Sequence, residues 1–423
     1  MNVIKMTPKR ERGELQNSLH RLAIMAMAAL ALPCAIRATP PSVSDIQFAQ
    51  NDERLVTISY TLSGADAIVM MDLQTNGVSI GKALYANATG DVNVKVKQGA
   101  RKIIWQPRET WPDQKIRDRS LSVKLTVWPL DNPPDYMCVD LVTPSNVVWY
   151  VSSNDVPGGV TADIYKTDKL LMRRIHAEGI RWRMGSPTGE GGYTANQDLL
   201  HEVILTNDFY IGVYQVTARQ YARIMGTSPD VSNPTVAKTH TYWTAIRGAR
   251  PTYDWPAKGR DVDPDLALGK MRKLSGIDTF DLPTEAEWEF ACRAGTTDSM
   301  QGASSLADVA WYNGSDFSSH GGSGVKDTQK VGLLRPNGFG LYDMLGNGTE
   351  ACNDWHSTGD DYCKTGELKI APIGPNAGSN RVGRGMSVDH GAAYHRSGYR
   401  PSAGESWNSK YMTFRLYCSA IMD

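Results

Sequence analysis

The sequence has 423 residues, with 45 basic and 45 acidic side chains and no long run of either sign of charge. Such a balance lacks the electrostatic footprint of a protein that binds nucleic acid or an anionic membrane surface. The charged fraction of 21% and the 11 tryptophans argue against a disordered chain, and the length allows two domains with separate cores.

The first forty residues have the layout of an export signal. Basic residues precede an uncharged, mostly apolar stretch from Leu22 to Ala35, and small residues follow, with cleavage expected after Ala38. A stretch this short does not cross a bilayer of ~30 Å as a helix. We therefore expect residues 1–38 to be a signal peptide, and the protein to be exported to a periplasm, a cell surface or the medium without a membrane span after cleavage. A buried N-terminal hydrophobic helix is the alternative.

Residues 42–130 alternate between short strands and turns. Apolar residues occupy every second position in Leu121–Trp128 and in Asp91–Lys97, and further strands are predicted at Val56–Leu62, Ile68–Leu73 and Lys102–Trp105. Short strands at this spacing predict a small all-β sandwich of the immunoglobulin-like type. We expect this part to serve as a spacer or interaction module.

A break in the pattern at residues 130–135 marks the predicted domain boundary. The adjacent prolines Pro133 and Pro134 lack backbone donors and favour extended structure. Beyond them, glycine and tryptophan become frequent and long periodic segments are scarce. Residues 136–423 are therefore expected to form the second domain.

Two helices in this second part are predicted from capping boxes. Thr284 is placed to cap a helix while Glu287, three residues on, reaches back to it, and Gly295 is placed to end that helix. The same pairing recurs at Thr217 and Gln220. The rest of the domain is expected to consist of short strands and ordered loops.

A series of motifs in the second part resembles the formylglycine-generating enzyme, or sulfatase-modifying factor, family. The segment Leu282–Gly295 is similar to the family's helix signature, and other similar motifs occur in the family's order at Arg183–Ser186, Asp208–Ile211, Gln215–Thr217, Pro336–Asn347, Arg381–Ser387 and Phe414–Leu416. Several long motifs in one order are a far more specific signal than one short pattern. The similarity covers roughly residues 175–418.

The resemblance implies an α+β domain with little regular secondary structure, related in shape to C-type lectin-like domains. The best-known members of the family oxidise one cysteine of a sulfatase to formylglycine, using oxygen and a copper ion held by two cysteines. Thiolate suits Cu(I) because soft sulfur prefers a soft metal. A sulfatase or another exported polypeptide is therefore the implied partner.

The chain departs from the family pattern at the catalytic site. Ser387 matches the serine of the family's motif, but His390 and His395 stand where the two copper-binding cysteines are expected. Copper is therefore not expected in the family's thiolate form, and we expect a divergent or non-catalytic member. One alternative is that the two imidazoles hold Cu(II) or Zn(II) with Asp389 or another side chain as a third ligand. The other is that they are surface or hydrogen-bonding histidines left after loss of catalysis.

The resemblance also implies a calcium site and a disulfide. Asn347 and Glu350 match the family positions that supply oxygens to calcium, a hard ion that prefers such ligands; a glycine turn with a solvated Glu350 is the alternative. Cys292 and Cys418 match the positions of a structural disulfide.

Other roles for the remaining residues stay open. Cys352 could pair with Cys363, or act as a nucleophile with His356, although no third orienting group is evident. A non-catalytic module could instead bind a glycan or a peptide through the aromatic side chains of Trp311, Tyr312, Trp355 and Tyr394. No nucleic-acid partner is expected.

Overall fold

Strands make up most of the regular structure, and the helices are few and short. A computed structural model describes residues 39–112, 121–194, 199–228, 232–313, 316–317, 322–323, 327–358 and 367–422. The predicted signal peptide at residues 1–38 thus lies outside the described residues. Within them, no helix is long and apolar enough to cross a membrane.

The N-terminal part consists of two antiparallel sheets. Their strands are β1 Ser42–Gln50, β2 Val56–Ser63, β3 Ala67–Thr75, β4 Val78–Ser79, β5 Thr89–Gly90, β6 Lys95–Val96, β7 Gly99–Trp105 and β8 Leu121–Pro129. One sheet has the order β1-β2-β7-β5. In the other sheet, β8 pairs along the whole of β3, while β4 and β6 pair with the two ends of β3. A short helix, α1 Pro107–Thr110, follows β7.

The alternating sequence pattern explains how these sheets pack. Val56, Ile58, Tyr60 and Leu62 of β2 are buried while the residues between them are not, because successive side chains of a strand point to opposite faces. They form one hydrophobic cluster with residues of β3 and β7. A two-sheet arrangement is therefore confirmed, whereas its immunoglobulin-like type stays a prediction.

The strand predicted at Asp91–Lys97 is wrong for most of its length. Only Lys95–Val96 pairs as a strand. Asn93 has a φ of 58°, a left-handed conformation that asparagine adopts more readily than most residues and that interrupts an extended chain. Its N–H donates to the Val69 carbonyl at 2.7 Å, and its carbonyl accepts from the Trp149 N–H at 2.8 Å. Asn93 thus ties the sandwich to the rest of the chain.

A shared core crosses the predicted boundary at residues 130–135. Ile68 and Met70 of β3 belong to the same buried cluster as Met137, Val139 and Trp149. Residues Pro41–Asp423 accordingly form one compact unit. Burial of these side chains holds the sandwich against the second part.

The second part combines several small sheets. Its strands are β9 Tyr136–Asp140, β10 Val147–Tyr150, β11 Lys169–Ile175, β12 Arg181–Met184, β13 His201–Ile204, β14 Phe209–Gly212, β15 Ala310–Trp311, β16 Asp316–Phe317, β17 Gly322–Ser323, β18 Leu345–Gly346, β19 Thr349–Trp355, β20 Leu368–Ile370, β21 Asn380–Arg384, β22 Ser402–Gly404, β23 Met412–Thr413 and β24 Tyr417–Ser419. The larger sheets have the orders β10-β9-β11-β14-β24, β12-β13-β20 and β22-β21-β19-β23. The mixed α and β composition with few helices agrees with the prediction.

Both predicted capping boxes are present. The helices of this part are α2 Ala218–Met225, α3 Trp243–Arg247, α4 Ala267–Ser275 and α5 Glu285–Arg293. Thr217 caps α2 with Gln220, and Thr284 caps α5 with Glu287. The end of α5 differs from the prediction, because Ala294, not Gly295, is the left-handed residue that closes it, with a φ of 48°.

Candidate functional site

A buried charge network joins α5 to the end of β21. Glu285 and Glu289 lie one turn apart on the helix and both accept from Arg384 Nη2 at 2.7 Å. Arg400 also donates to Glu285, with Nη2–Oε2 at 2.8 Å, and Arg293 donates to Glu289 at 2.8 Å. Burial alone would raise the pKa of Glu285, but Arg400 and Arg384 outweigh it and hold this pKa at about 2. The helix signature therefore anchors the segment that follows β21.

That segment forms one wall of a cavity of about 640 Å³. Ser387, Asp389 and His390 lie on this wall, and the other lining residues are Thr349, His356, Met386, Tyr399, Arg400, Pro401, Ser402, Ala403, Trp407, Ser409, Tyr411 and Met412. The volume is within the range of small-molecule binding sites. Two of the three predicted catalytic positions, Ser387 and His390, are thus brought to the cavity.

Ser387, Asp389 and His390 form a local hydrogen-bonded cluster. The Ser387 hydroxyl donates to Asp389 Oδ1 at 2.6 Å, and His390 Nδ1 lies 2.8 Å from the same oxygen and 3.1 Å from Ser387 Oγ. A carboxylate only accepts hydrogen bonds, so Nδ1 is the ring nitrogen that donates to Asp389. Ser387 is 2% exposed and its proton is committed to Asp389, so this is not the geometry of a serine nucleophile.

His395 does not reach the cavity. It is 1% exposed, with Nδ1 lying 3.1 Å from the Gly391 carbonyl oxygen and Nε2 lying 3.2 Å from that of Ser387. Burial lowers the pKa of His395 to about 4, so the ring is neutral near pH 7. Both nitrogens face backbone oxygens, and neither is directed at His390 or at the cavity.

These residues do not fit the family's copper ion. A Cu(I) site needs soft thiolate ligands at both positions, whereas this chain offers one imidazole on the cavity wall and a second enclosed by backbone. Among the described residues, no three or more histidine, cysteine, aspartate and glutamate side chains are grouped as metal ligands. The alternative of a metal held by the histidine pair and Asp389 is not favoured by this arrangement.

The two residues of the predicted calcium site belong to internal networks. Glu350 is 1% exposed and accepts from Arg415 Nη2 at 2.8 Å, Trp288 Nε1 at 2.6 Å and Gln215 Nε2 at 3.0 Å. Asn347 exchanges hydrogen bonds with the backbone of Gln329, at 2.7 and 3.3 Å. A cation at Glu350 would have to displace the Arg415 guanidinium. The calcium site stays a prediction, and these contacts do not support it.

The structure does not show the predicted Cys292–Cys418 disulfide. Both cysteines are free thiols, fully buried in different hydrophobic clusters. Cys352 is also a buried free thiol, and burial raises its pKa well above the usual value, which argues against a nucleophile. The proposed partner Cys363 lies outside the described residues, and His356 Nε2 instead contacts the Arg400 carbonyl at 3.2 Å.

The aromatic side chains predicted to present a ligand-binding face are only partly exposed. Trp355 is fully buried, with the Arg381 guanidinium 3.3 Å from its ring centroid, and Trp311 is 8% exposed. Tyr394 is 45% exposed and Tyr312 is half-buried. Trp355 is therefore a core residue, and these four do not form one binding surface.

Sequence reasoning missed the aromatic side chains that do line the cavity. Trp407 is 54% exposed, and Tyr399 and Tyr411 stand with it on the wall. Their proximity in sequence to the Arg381–Ser387 motif was the available signal. No sequence signal indicated the buried ion pairs of Arg384 with Glu285 and Glu289. About a hundred residues separate the partners in the sequence, and tertiary packing brings them together.

The comparisons with known proteins agree with this architecture. The model of the sulfatase-modifying factor enzyme 1-like domain matches residues 182–420, more than half of the chain. The formylglycine-generating enzyme of Streptomyces coelicolor is 34% identical over 248 residues, covering 51% of this chain and 78% of that protein. The chaperone protein LppX of Paenibacillus barcinonensis is 28% identical over 197 residues, covering 40% of this chain and 70% of that protein.

Other relatives are matched over shorter stretches. The formylglycine-generating enzyme of Bos taurus is 34% identical over 113 residues, so this chain covers 29% of its length, and the match takes 25% of this chain. Among solved structures, Treponema denticola variable protein 1 has a TM-score of 0.45 at 24% identity, covering 59% of this chain and 95% of that one. The motifs, the matched domain and the Streptomyces relative agree: the chain belongs to the formylglycine-generating enzyme, or sulfatase-modifying factor, family.

Proposed function

We propose that this protein is an exported member of the family that binds a segment of an exported polypeptide in the cavity beside Ser387 and His390, without copper-dependent oxidation. The observation that carries the proposal is the separation of the two histidines. His390 lies on the cavity wall, while His395 is enclosed by the carbonyls of Gly391 and Ser387. The cavity beside Ser387 thus lacks the pair of cysteine ligands that the family's copper chemistry needs.

The walls of the cavity suit an uncharged segment. Trp407, Tyr399 and Tyr411 supply aromatic surface, and the charge of Arg400 is neutralised by Glu285. The His390 imidazole is a polar group on the wall, oriented by its hydrogen bond through Nδ1 to Asp389. Aromatic burial would supply most of the affinity, and this imidazole would help to fix the orientation of the bound segment.

The names of the relatives support a polypeptide as the ligand. One relative is called a chaperone protein, and others are named for generating formylglycine, an amino-acid residue. A sulfatase segment that contains the cysteine is therefore the first ligand to test. Metal binding by the histidine pair is less well supported, because both nitrogens of His395 face carbonyl oxygens.

Fluorescence anisotropy with a labelled peptide spanning the cysteine of a sulfatase tests this proposal. We expect the wild-type protein to bind and Trp407→Ala to bind at least ten-fold more weakly, while Leu333→Ala keeps the wild-type affinity. Leu333 is the matched control because it is similarly exposed, at 58%, and does not line the cavity. No binding by the wild type, or equal binding by all three proteins, would contradict the proposal.

A further inference from the structure

One strand in the wall of the cavity beside Ser387 lies at the edge of its sheet. Strand β22, Ser402–Gly404, is the last strand in the order β22-β21-β19-β23, and it pairs with β21. Ser402 and Ala403 of this strand line the cavity. The second edge of β22 pairs with no other strand among the residues that the structure describes.

The hydrogen bonds between β21 and β22 show which backbone groups reach the open edge. The Gly383 N–H donates to the Pro401 carbonyl at 2.7 Å, and two residues further along each strand Arg381 lies opposite Ala403. In an antiparallel pair every second residue bonds to the partner strand, and the residues between them direct N–H and C=O to the other side. The N–H and C=O of Ser402 therefore point away from β21.

The neighbouring positions on this edge are occupied by other parts of the chain. The Arg400 carbonyl oxygen lies 3.2 Å from His356 Nε2, and the Gly404 carbonyl accepts from the Trp407 N–H at 2.9 Å. Ser402 lies between them and is exposed. Neither its outward backbone groups nor its hydroxyl has a hydrogen-bond partner within the described ranges. The open part of the edge is thus a single residue.

We infer that the polypeptide segment binds in an extended conformation and adds a strand to β22 at Ser402. This inference rests on the proposed function, because it specifies how the cavity holds its ligand. The outward N–H and C=O of Ser402 are a donor and an acceptor that match the backbone of an extended chain. An opening of one residue does not suit the pairing of two long edge strands, as in a dimer, but it fits one short segment that crosses the cavity.

Strand addition separates the affinity of the backbone from the choice of side chains. Hydrogen bonds to Ser402 would form with any residue of the segment except proline, since only the main chain takes part. Side-chain selection would fall to the rest of the cavity, where Trp407 and Tyr411 stand on the wall. The segment is therefore expected to need an unmodified backbone N–H at the residue that faces Ser402.

Fluorescence anisotropy with the labelled sulfatase peptide and two variants at Ser402 tests the inference. Ser402→Pro removes the outward N–H, while the bonds to β21 use Pro401 and Ala403 and are kept. Proline is tolerated on edge strands at such positions. We expect Ser402→Pro to weaken binding by about five-fold or more. Ser402→Ala is the matched control, and it should bind like the wild type because it keeps the N–H.

A series of peptides, each N-methylated at one residue, repeats the test on the wild-type protein. In either direction of the segment, the Ser402 carbonyl accepts from one peptide N–H. Methylation at that position should weaken binding by about five-fold or more, and methylation at the residues on either side should have little effect. This series keeps the test decisive if thermal unfolding shows that Ser402→Pro fails to fold.

The outcomes separate this inference from the proposed function. Wild-type affinity in Ser402→Pro, with binding lost in Trp407→Ala, would overturn strand addition and leave the cavity as the binding site. Equal losses in Ser402→Pro and Ser402→Ala would assign the effect to the hydroxyl and also overturn it, as would an N-methyl series in which no position, or every position, weakens binding. Failure of the wild type to bind the unmodified peptide would instead contradict the proposed function, and strand addition with it.

Discussion

Arg384 and Glu285 form an ion pair with both side chains fully buried and with Nη2 and Oε1 2.7 Å apart. Glu285 opens α5 within the family's helix signature, and Arg384 ends β21 just before Ser387. The pair therefore connects two motifs that lie 99 residues apart in the sequence. It fixes the start of the cavity wall that carries His390.

Removing the charge of Glu285 should destabilise the fold. Glu285→Gln leaves Arg384 and Arg400 buried with one partner fewer, and loss of one member of a buried pair costs about 3–5 kcal/mol. Urea denaturation measures the change in the free energy of unfolding. The control is Lys369→Ala, which removes a more exposed pair with Glu367 and should cost at most about 1 kcal/mol. Equal costs for both variants would contradict this account of the network.

The same carboxylate should make the fold sensitive to acid. The pKa of Glu285 is about 2 in the folded protein, because its arginine partners outweigh the effect of burial, against an ordinary value of 4.5. A depressed carboxyl pKa gives stability that is present above the ordinary value and lost as the pH falls towards the folded value. The free energy of unfolding should therefore decrease from about pH 4.5 to about pH 2. Glu285→Gln should flatten this slope, and an unchanged slope would refute the assignment.

Asp354 should have the opposite pH dependence. Burial, followed by the charge of Glu285, raises the pKa of Asp354 to about 8. A carboxyl kept neutral in the fold gives stability below its ordinary pKa that is lost as the pH rises through the folded value. Asp354→Asn should therefore gain stability relative to wild type between about pH 4 and pH 8. Denaturation curves at both pH values measure the difference, and a constant difference would show that Asp354 is ionised throughout.

The capping box of α5 should contribute measurably to stability. Thr284 Oγ1 accepts from the Glu287 N–H at 3.3 Å, and Glu287 Oε2 accepts from the Thr284 N–H at 2.7 Å. Thr284→Ala should cost about 1 kcal/mol, as for other N-caps. Thr284→Ser keeps the hydroxyl and should cost only a few tenths of a kcal/mol. Comparing the two variants in thermal unfolding therefore isolates the contribution of the cap. Equal losses would assign the effect to packing of the methyl group.

The thiols of Cys292 and Cys418 should be reduced and unreactive in the native protein. Burial raises the pKa of Cys292 to about 12 and also raises that of Cys418, so little thiolate is present at pH 8. Alkylation should label both cysteines after unfolding without a reductant, and neither before unfolding. Peptide mass spectrometry gives the readout. A cross-linked peptide joining the two residues would restore the family's disulfide.

Local signals predicted the local features of this fold. The capping boxes at Thr217 and Thr284 and the alternation along β2 depend on neighbouring residues, so the sequence reveals them directly. The failure at Asp91–Lys97 has a tertiary cause, because the left-handed Asn93 is held by a hydrogen bond from its N–H to the Val69 carbonyl and by one from the Trp149 N–H to its own carbonyl. Alternation of apolar and polar residues alone does not distinguish a strand from a segment that bends where hydrogen bonds attach it to two neighbouring segments.

The candidate site was predictable only in part. Motif spacing identified Ser387, His390 and His395. It matched the two histidines to the two positions that hold one copper ion in the family. Burial decided the outcome, since His395 turns into the backbone while His390 remains at the cavity. Likewise, Glu350 looks like a cation ligand by position, and only the structure shows Arg415 against its carboxylate.

The central proposal is that the chain keeps the family's domain and has a cavity beside Ser387, but lacks the family's copper chemistry. Coexpression with a sulfatase, followed by mass spectrometry of the peptide that contains the sulfatase cysteine, tests it most directly. We predict unmodified cysteine at the level of a control that lacks this protein. Conversion to formylglycine above that background, abolished by His390→Ala, would contradict the account.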